Sequence, residues 1–288
     1  MVSLYFGGNK MIFGVITALS AVAAAVITIC KSSFADLSFL WLMAGSFAGC
    51  FLALTLVACL FLLIACGCVD MSKPQTEDSK FYRSILYPYV TFLKQAVGMT
   101  VYAEGLEKTP KDGRFLLVCN HQNEADPGVL HHCFPKSQLA FISKKEAENM
   151  FVIGKFMHKT LCQMIDREND REALKTILKC IQMIKNDQVS VGAFPEGGIL
   201  GDYKVYPFRP GLFKIAQKAN VPIVVCTIKG TTDLFRNMKR LKPTEVHMHL
   251  LDVIPAEELQ GVTTVEIADR VYEMMIGDLG EDWRYTEE

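Results

Sequence analysis

Two long stretches without charge dominate the first quarter of the chain. Residues 11–30 are 20 uncharged, mostly apolar positions closed by Lys10 and Lys31, and residues 39–69 are 31 more. Roughly 20 residues of helix cross a hydrocarbon core about 30 Å thick, so either stretch can span a bilayer. The second is longer than needed and is expected to tilt or to run on into the interface. A secretory signal has an apolar region of about 7 to 15 residues. The first stretch exceeds that and a second follows it, so a two-helix membrane anchor over residues 1–70 is expected. Gly45 and Gly49 form a GxxxG, and Ala21 and Ala25 are spaced alike, which suits a closely packed hairpin.

If both helices cross, the N-terminus and everything after residue 70 share one side. Lys10, Lys73, Lys80 and Arg83 lie near the membrane on that side, against Lys31 in the intervening loop. The positive-inside tendency then places the C-terminal part in the cytoplasm. The ten cysteines form no CxxC pair and five of them fall in the apolar stretches, which suits reduced thiols. A net charge of −1 with no block of like charges gives no reason to expect a nucleic-acid partner.

Residues 71–99 read as a linker with an amphipathic segment at 81–97. That segment either lies on the membrane interface or packs on the domain as an ordinary helix. From residue 100 to 288 the pattern is that of a soluble α/β domain. Strands are expected at 115–119, 139–143, 162–165, 189–194, 223–228 and 246–253, and helices at 147–160, 171–185, 211–218 and 264–277. Strands separated by helices imply a mostly parallel sheet flanked by helices.

Sites in such sheets gather where strands hand over to helices. Asn120 and His121 follow the strand at 115–119, and Asp126-Pro127 reads as a helix start. Across a strand-loop-helix turn, this spacing lets the Asp126 carboxylate reach the His121 imidazole, an arrangement suited to general-base work. Equally, Asp126 could cap the helix ahead of Pro127 while His121 lines the turn. The stretch Phe194-Pro195-Glu196-Gly197-Gly198 ends a strand and bares backbone N–H groups that could face an oxyanion or a phosphate; a plain surface turn fits as well. Arg167, leaving a strand in Ile165-Asp166-Arg167, could clamp a phosphate or form a surface ion pair. Lys144, in Ser143-Lys144-Lys145-Glu146, reads more simply as a solvated face. His131-His132-Cys133 falls in a helix where neighbours point apart, so no metal site is expected there. His247 and His249 share one face of a strand, with no carboxylate partner in view.

Taken together, these stretches resemble the phospholipid/glycerol acyltransferase family, most nearly its bacterial 1-acylglycerol-3-phosphate acyltransferases. The family's N-H-x-x-x-x-D is Asn120-His121 through Asp126, and its I-D-R is Ile165 to Arg167, preceded by the stretch holding Lys144. F-P-E-G is Phe194 to Gly197, and V-P-I-V is Val221 to Val224. All four occur in the family's order over about residues 100–255. One departure stands out: where the family continues with Thr-Arg-Ser after F-P-E-G, this chain has Gly198-Ile199-Leu200.

The resemblance implies a glycerol-phosphate acyltransferase-like fold and an integral protein of a bacterial cell membrane, with its catalytic domain in the cytoplasm. It implies transfer of an acyl group from acyl-CoA or acyl-acyl carrier protein to lysophosphatidate, with no metal and no other cofactor. His121 would be the base and Asp126 its orienting carboxylate. Glu196 would organise its turn, and backbone N–H groups near Gly197 and Gly198 would hold the oxyanion. Lys144, Arg167 and Arg209 (with Lys204 nearby) would take the acceptor's phosphate. The missing Thr-Arg admits another lyso-lipid as acceptor. From a different class, a lipid-binding scaffold without activity is the alternative, although such a scaffold has no need of a base.

Overall fold

The structure, a computed structural model, describes residues 11–31, 37–166, 169–199 and 201–286. The chain divides into two compact units at Lys73/Pro74.

The first unit holds α1 (Met11–Lys31) and α2 (Ser38–Gly67). At 1.5 Å per residue, the 30 residues of α2 make a rod longer than the hydrocarbon core is thick. Polar side chains in these helices are hidden locally. The hydroxyls of Thr17, Ser20, Thr28 and Thr55 each donate to the carbonyl four residues back, so these four donors are satisfied within their own helix. The two helices meet through the edge-to-face rings of Phe13 and Phe51, 5.6 Å apart. The GxxxG plays no part in close packing: a Cβ at Gly45 or Gly49 would meet nothing within 4 Å.

The second unit begins with α3 (Lys80–Ala96) and β1 (Met99–Glu104), followed by β2 (Leu116–Cys119), α4 (Asp126–Cys133) and β3 (Leu139–Lys144). Next come α5 (Phe151–Lys159), β4 (Gln163–Ile165), α6 (Asp170–Lys185) and β5 (Ser190–Ala193). The chain then runs through α7 (Lys214–Ala219), β6 (Ile223–Lys229), α8 (Leu234–Lys239), β7 (Thr244–Ile254) and α9 (Thr264–Leu279). The seven strands form one sheet in the order β1-β7-β6-β2-β5-β3-β4. The five strands from β6 to β4 are parallel; β7 runs against β6, and β1 lies parallel to β7 at the edge.

The central strands are almost wholly buried because both faces are covered. In β2 all four residues are buried, and alternate residues go to opposite faces. Leu116 and Val118 join Val191, Ile223 and Val225 under α6, α7 and α9, where Cys180, Ile184, Val271 and Met275 meet them. Leu117 and Cys119 join Val224, Cys226 and Ile228 on the other face, against Leu130 of α4 and Phe134 just after it. At about 25 cal/mol per Å² of apolar surface removed from water, these two layers provide the main driving force for the unit.

β1 and α8 were not expected from the sequence. β1 carries an alternating, half-exposed pattern, and α8 has only six residues, too few for a helical period to show. The segment after Gly98, to which the sequence assigned no element, is the sheet's edge. α3 packs as an ordinary amphipathic helix, burying Tyr82, Arg83, Tyr89 and Thr91. Arg83 is counted with the membrane-side charges in the sequence, yet it is buried. Its guanidinium pairs with Asp78 at 2.8 Å and donates to the carbonyls of Leu139 and Thr160. A side chain consumed in this way cannot serve a lipid headgroup, so the charge asymmetry behind the orientation expected from the sequence rests on Lys73, Lys80 and Lys10, the last of which lies outside the described residues.

Candidate active site

The sheet's parallel strands end together at one edge, and the loops after β2 and β5 meet there. Asn120 closes β2 in an unusual way. Its side-chain Nδ2 donates to the Ile228 carbonyl at 3.0 Å, and its Oδ1 accepts from the Ile228 N–H at 2.8 Å. The amide thus mimics one more peptide unit of the β2–β6 ladder, which frees the backbone to turn away at His121.

The turn itself is built by Asp126. Its Oδ2 accepts from the N–H groups of Gln122 (2.7 Å) and Asn123 (2.8 Å) and lies 2.9 Å from Nδ1 of His121. Asn123 Oδ1 accepts from the Ala125 N–H, and the Asp126 N–H donates to the Asn123 carbonyl, which tightens the bend. The helix-cap alternative therefore fails. α4 starts at Asp126 with no side-chain cap, and the carboxylate reaches back into the turn. Because a carboxylate that takes two N–H donors on Oδ2 can only accept there, Nδ1 of His121 carries the proton. Nε2 is left with its lone pair. Asp126 is fully buried and its Oδ1 has no partner among the described residues, so its hydrogen bonding is concentrated on Oδ2.

The imidazole lies on the ring of Phe194, centroids 4.0 Å apart and planes 15° from parallel. Phe194 in turn stacks on Phe141 at 5.8 Å. That second ring crosses the backbone of β5 at Gly192, where an added Cβ would sit 2.5 Å from it. A glycine inside a buried strand is explained by this close approach.

Glu196 joins the two loops. Its Oε1 accepts from the His121 N–H at 2.7 Å and its Oε2 from the Tyr206 N–H at 3.2 Å. Burial pushes its carboxyl up to about 7, against these two N–H donors, which favour the charged form. Tyr206 is itself held by a C-terminal strap. The Val205 N–H donates to the Trp283 carbonyl at 2.7 Å, the Tyr285 N–H donates to the Val205 carbonyl, and the rings of Tyr206 and Tyr285 stack 4.2 Å apart. Arg284 pins the strap by bonding both Glu273 and Glu281.

The remaining expected residues are placed unevenly. Gly197 adopts φ +83, a conformation open to glycine at little cost, and its N–H closes the turn onto the Phe194 carbonyl at 3.2 Å. That N–H is therefore engaged, whereas no backbone hydrogen bond from the Gly198 N–H occurs among the described residues. Arg209 lies over Gly197: an added Cβ there would stand 2.7 Å from its Nε. Lys144 is exposed and 3.9 Å from Glu124, at the same sheet edge but in a loose surface pair. Lys204 is drawn away, donating to the Asp282 carbonyl at 2.6 Å. Arg167 lies outside the described residues.

The other histidines fall into two groups. His131 and His132 do point apart, His131 edge-on to Phe141 and His132 to Lys94 Nζ at 3.1 Å. Burial lowers their pKa to about 3 and about 4. His249, by contrast, does have a carboxylate partner, Asp278 at 2.8 Å on α9, beside a cavity of about 210 Å³. Sequence reasoning missed this pair because the partner is 29 residues away on another element. It also missed Asn120 as a strand bridge and Phe194 as a platform, although both stand inside the motifs.

A family model described as Acyltransferase matches residues 100–229, which include His121, Asp126 and Glu196. The Mycoplasma genitalium protein named "Probable 1-acyl-sn-glycerol-3-phosphate acyltransferase" is 30% identical over 206 residues, covering 66% of this chain and 74% of that protein. Caenorhabditis elegans acl-2 is 29% identical over 183 residues, covering 62% of this chain but only 64% of its own length. The crystal structure of the 1-acyl-sn-glycerophosphate (LPA) acyltransferase, PlsC, from Thermotoga maritima superposes with a TM-score of 0.59 at 24% identity. It covers 79% of this chain and 89% of that one, and so has the same fold.

Proposed function

The chain belongs to the acyltransferase family, and from that premise we propose that it moves a fatty acyl group from an acyl thioester to the free hydroxyl of 1-acylglycerol 3-phosphate, giving phosphatidic acid. The observation that carries this reading is the 2.9 Å contact between His121 Nδ1 and Asp126 Oδ2, with Nε2 open. Nε2 takes the proton of the acceptor hydroxyl as its oxygen attacks the thioester carbonyl. The C–O bond forms, the tetrahedral oxyanion collapses, the C–S bond breaks, and the thiolate leaves as coenzyme A or carrier-protein thiol after taking up a proton. A thiolate is a good leaving group, so no acyl-enzyme is required.

Asp126 fixes the tautomer and stabilises the imidazolium as it forms. Phe194 holds the ring flat from below, and Glu196 ties the His121 backbone to the second loop. The Gly198 amide faces the oxyanion. Arg209 beside Gly197 takes the acceptor's phosphate, with Lys144 at the same sheet edge. In this reading α1 and α2, both long and apolar enough to cross a membrane, anchor the enzyme where acceptor and product reside, with the catalytic unit on the cytoplasmic side. The names of the relatives support the acceptor.

Acyl transfer from radiolabelled acyl-CoA and acyl-carrier protein, measured on the full chain in vesicles, tests the proposal. Lysophosphatidate should be acylated by the wild type and left unacylated by His121→Ala. Acylation of some other lyso-lipid alone would move the acceptor, an outcome favoured by Gly198-Ile199 standing where the resemblance expects Thr-Arg. Inactivity toward every lyso-lipid would defeat the reading.

A further inference from the structure

We propose that α8 and the turn after it form a docking surface that seats the catalytic unit on an anionic lipid bilayer. α8 is held from below by buried Leu234 and by the Asn237 amide donating to the Thr244 hydroxyl at 3.2 Å. Above this base, Phe235, Met238 and Leu241 recur every third residue and are 49%, 41% and 95% exposed. Leu241 stands at the tip of the turn with φ +52, a backbone region that leucine rarely adopts. The turn is nevertheless fully bonded, through Leu241 N–H to the Met238 carbonyl and Lys242 N–H to the Asn237 carbonyl. A firm scaffold thus presents an apolar tip to the outside.

Charge completes the surface. Arg236, Lys239, Arg240 and Lys242 are all exposed around the three apolar side chains. The one acid in the segment, Asp233, is neutralised by Arg236 at 2.6 Å. Among the described residues no carboxylate lies within ion-pair distance of Lys239, Arg240 or Lys242. Protruding apolar side chains within a ring of basic ones match the headgroup boundary of an anionic membrane, with the tip in the acyl region and the cations at the phosphates.

The position fits that occupant. β6 runs parallel to β2 and hands over to α8 at the edge where β2 hands over to His121. Exposed Tyr203, from the loop after the glycine-rich turn, reaches Asp233 at 3.4 Å and extends the apolar surface toward the site. A bilayer seated here lies along the sheet edge that carries His121. The surface does not depend on which lyso-lipid is the acceptor, and its test reads structure and not turnover.

Hydrogen exchange measured on the full chain in three settings decides the matter: detergent micelles, phosphatidylcholine vesicles, and phosphatidylcholine vesicles containing phosphatidylglycerol. Amides of residues 234–242 should exchange at least roughly tenfold more slowly in the phosphatidylglycerol vesicles, since several basic residues act together near the surface. The Lys239→Glu/Arg240→Glu/Lys242→Glu variant should lose that slowing while matching the wild type in micelles, which shows that it is folded. Equal exchange in both kinds of vesicle overturns the proposal. So does slowing that appears only when acidic acyl carrier protein is added, because the surface would then belong to a protein partner.

Discussion

Replacing Asp126 with asparagine changes the charge of the dyad with little change of shape, and the structure sets the size of the effect. Three donors converge on Oδ2: His121 Nδ1 and the N–H groups of Gln122 and Asn123. An asparagine that turned its NH2 toward them would set it against two backbone N–H groups, so its oxygen takes the Oδ2 place. The tautomer of His121 is therefore retained, and what is lost is the negative charge beside the imidazolium. At the 2.9 Å separation and an effective dielectric of about 20, unit charges attract by about 6 kcal/mol. With the proton about half transferred, roughly 3 kcal/mol acts in the transition state, or about a hundredfold in rate. The reaction should be followed as acyl transfer to lysophosphatidate in vesicles, with kcat and KM resolved separately. We expect kcat about a hundredfold lower, KM for the acceptor little changed, and activity still well above that of His121→Ala. A kcat within threefold of wild type, or one as low as that of His121→Ala, would refute the electrostatic reasoning.

The Glu196 carboxyl is raised to about 7 by burial, so between pH 4.5 and 7 the folded chain keeps a proton that the unfolded chain releases. Stability contributed at Glu196 is thus full below pH 4.5 and falls by about 3 kcal/mol as pH rises through 7. Thermal melts of wild type and Glu196→Gln should show wild type losing ground over that window; parallel curves would remove the raised carboxyl. Asn120→Ala strands the Ile228 N–H and carbonyl without partners, and should destabilise the catalytic unit by about 2–4 kcal/mol in denaturant titration. Gly192→Ala forces Phe141 from its place under Phe194; its kcat should fall at least roughly tenfold, given the sensitivity of catalysis to small displacements, while Ala193→Gly on the same strand changes kcat by less than about threefold.

The dyad was legible in the sequence because its two members sit five residues apart at the end of an unbroken apolar strand. Whether Asp126 capped α4 or turned back to His121 was not legible, since both use the same residues and differ only in the path of the backbone. The parallel sheet could be read from buried strands such as β2 and β6, whereas half-exposed β1 and six-residue α8 left too weak a pattern. Other contributions were invisible because they are joined only in space. Tyr206 depends on Tyr285, Asn120 on Ile228, and His249 on Asp278, and in no case does local spacing hint at the partner. Gly192 is the intermediate case: a glycine inside a strand signals a close neighbour without saying that it is Phe141.

The strap at residues 283–285 has a consequence for how the protein is made. On the ribosome, the segment bearing Glu196 emerges almost 90 residues before Tyr285, a delay of roughly 4–18 s at ordinary elongation rates. Throughout that interval the Val205 N–H has no Trp283 carbonyl to meet and Tyr206 has no ring to rest on. The nascent chain therefore has both of its apolar helices made well before it owns a finished catalytic loop.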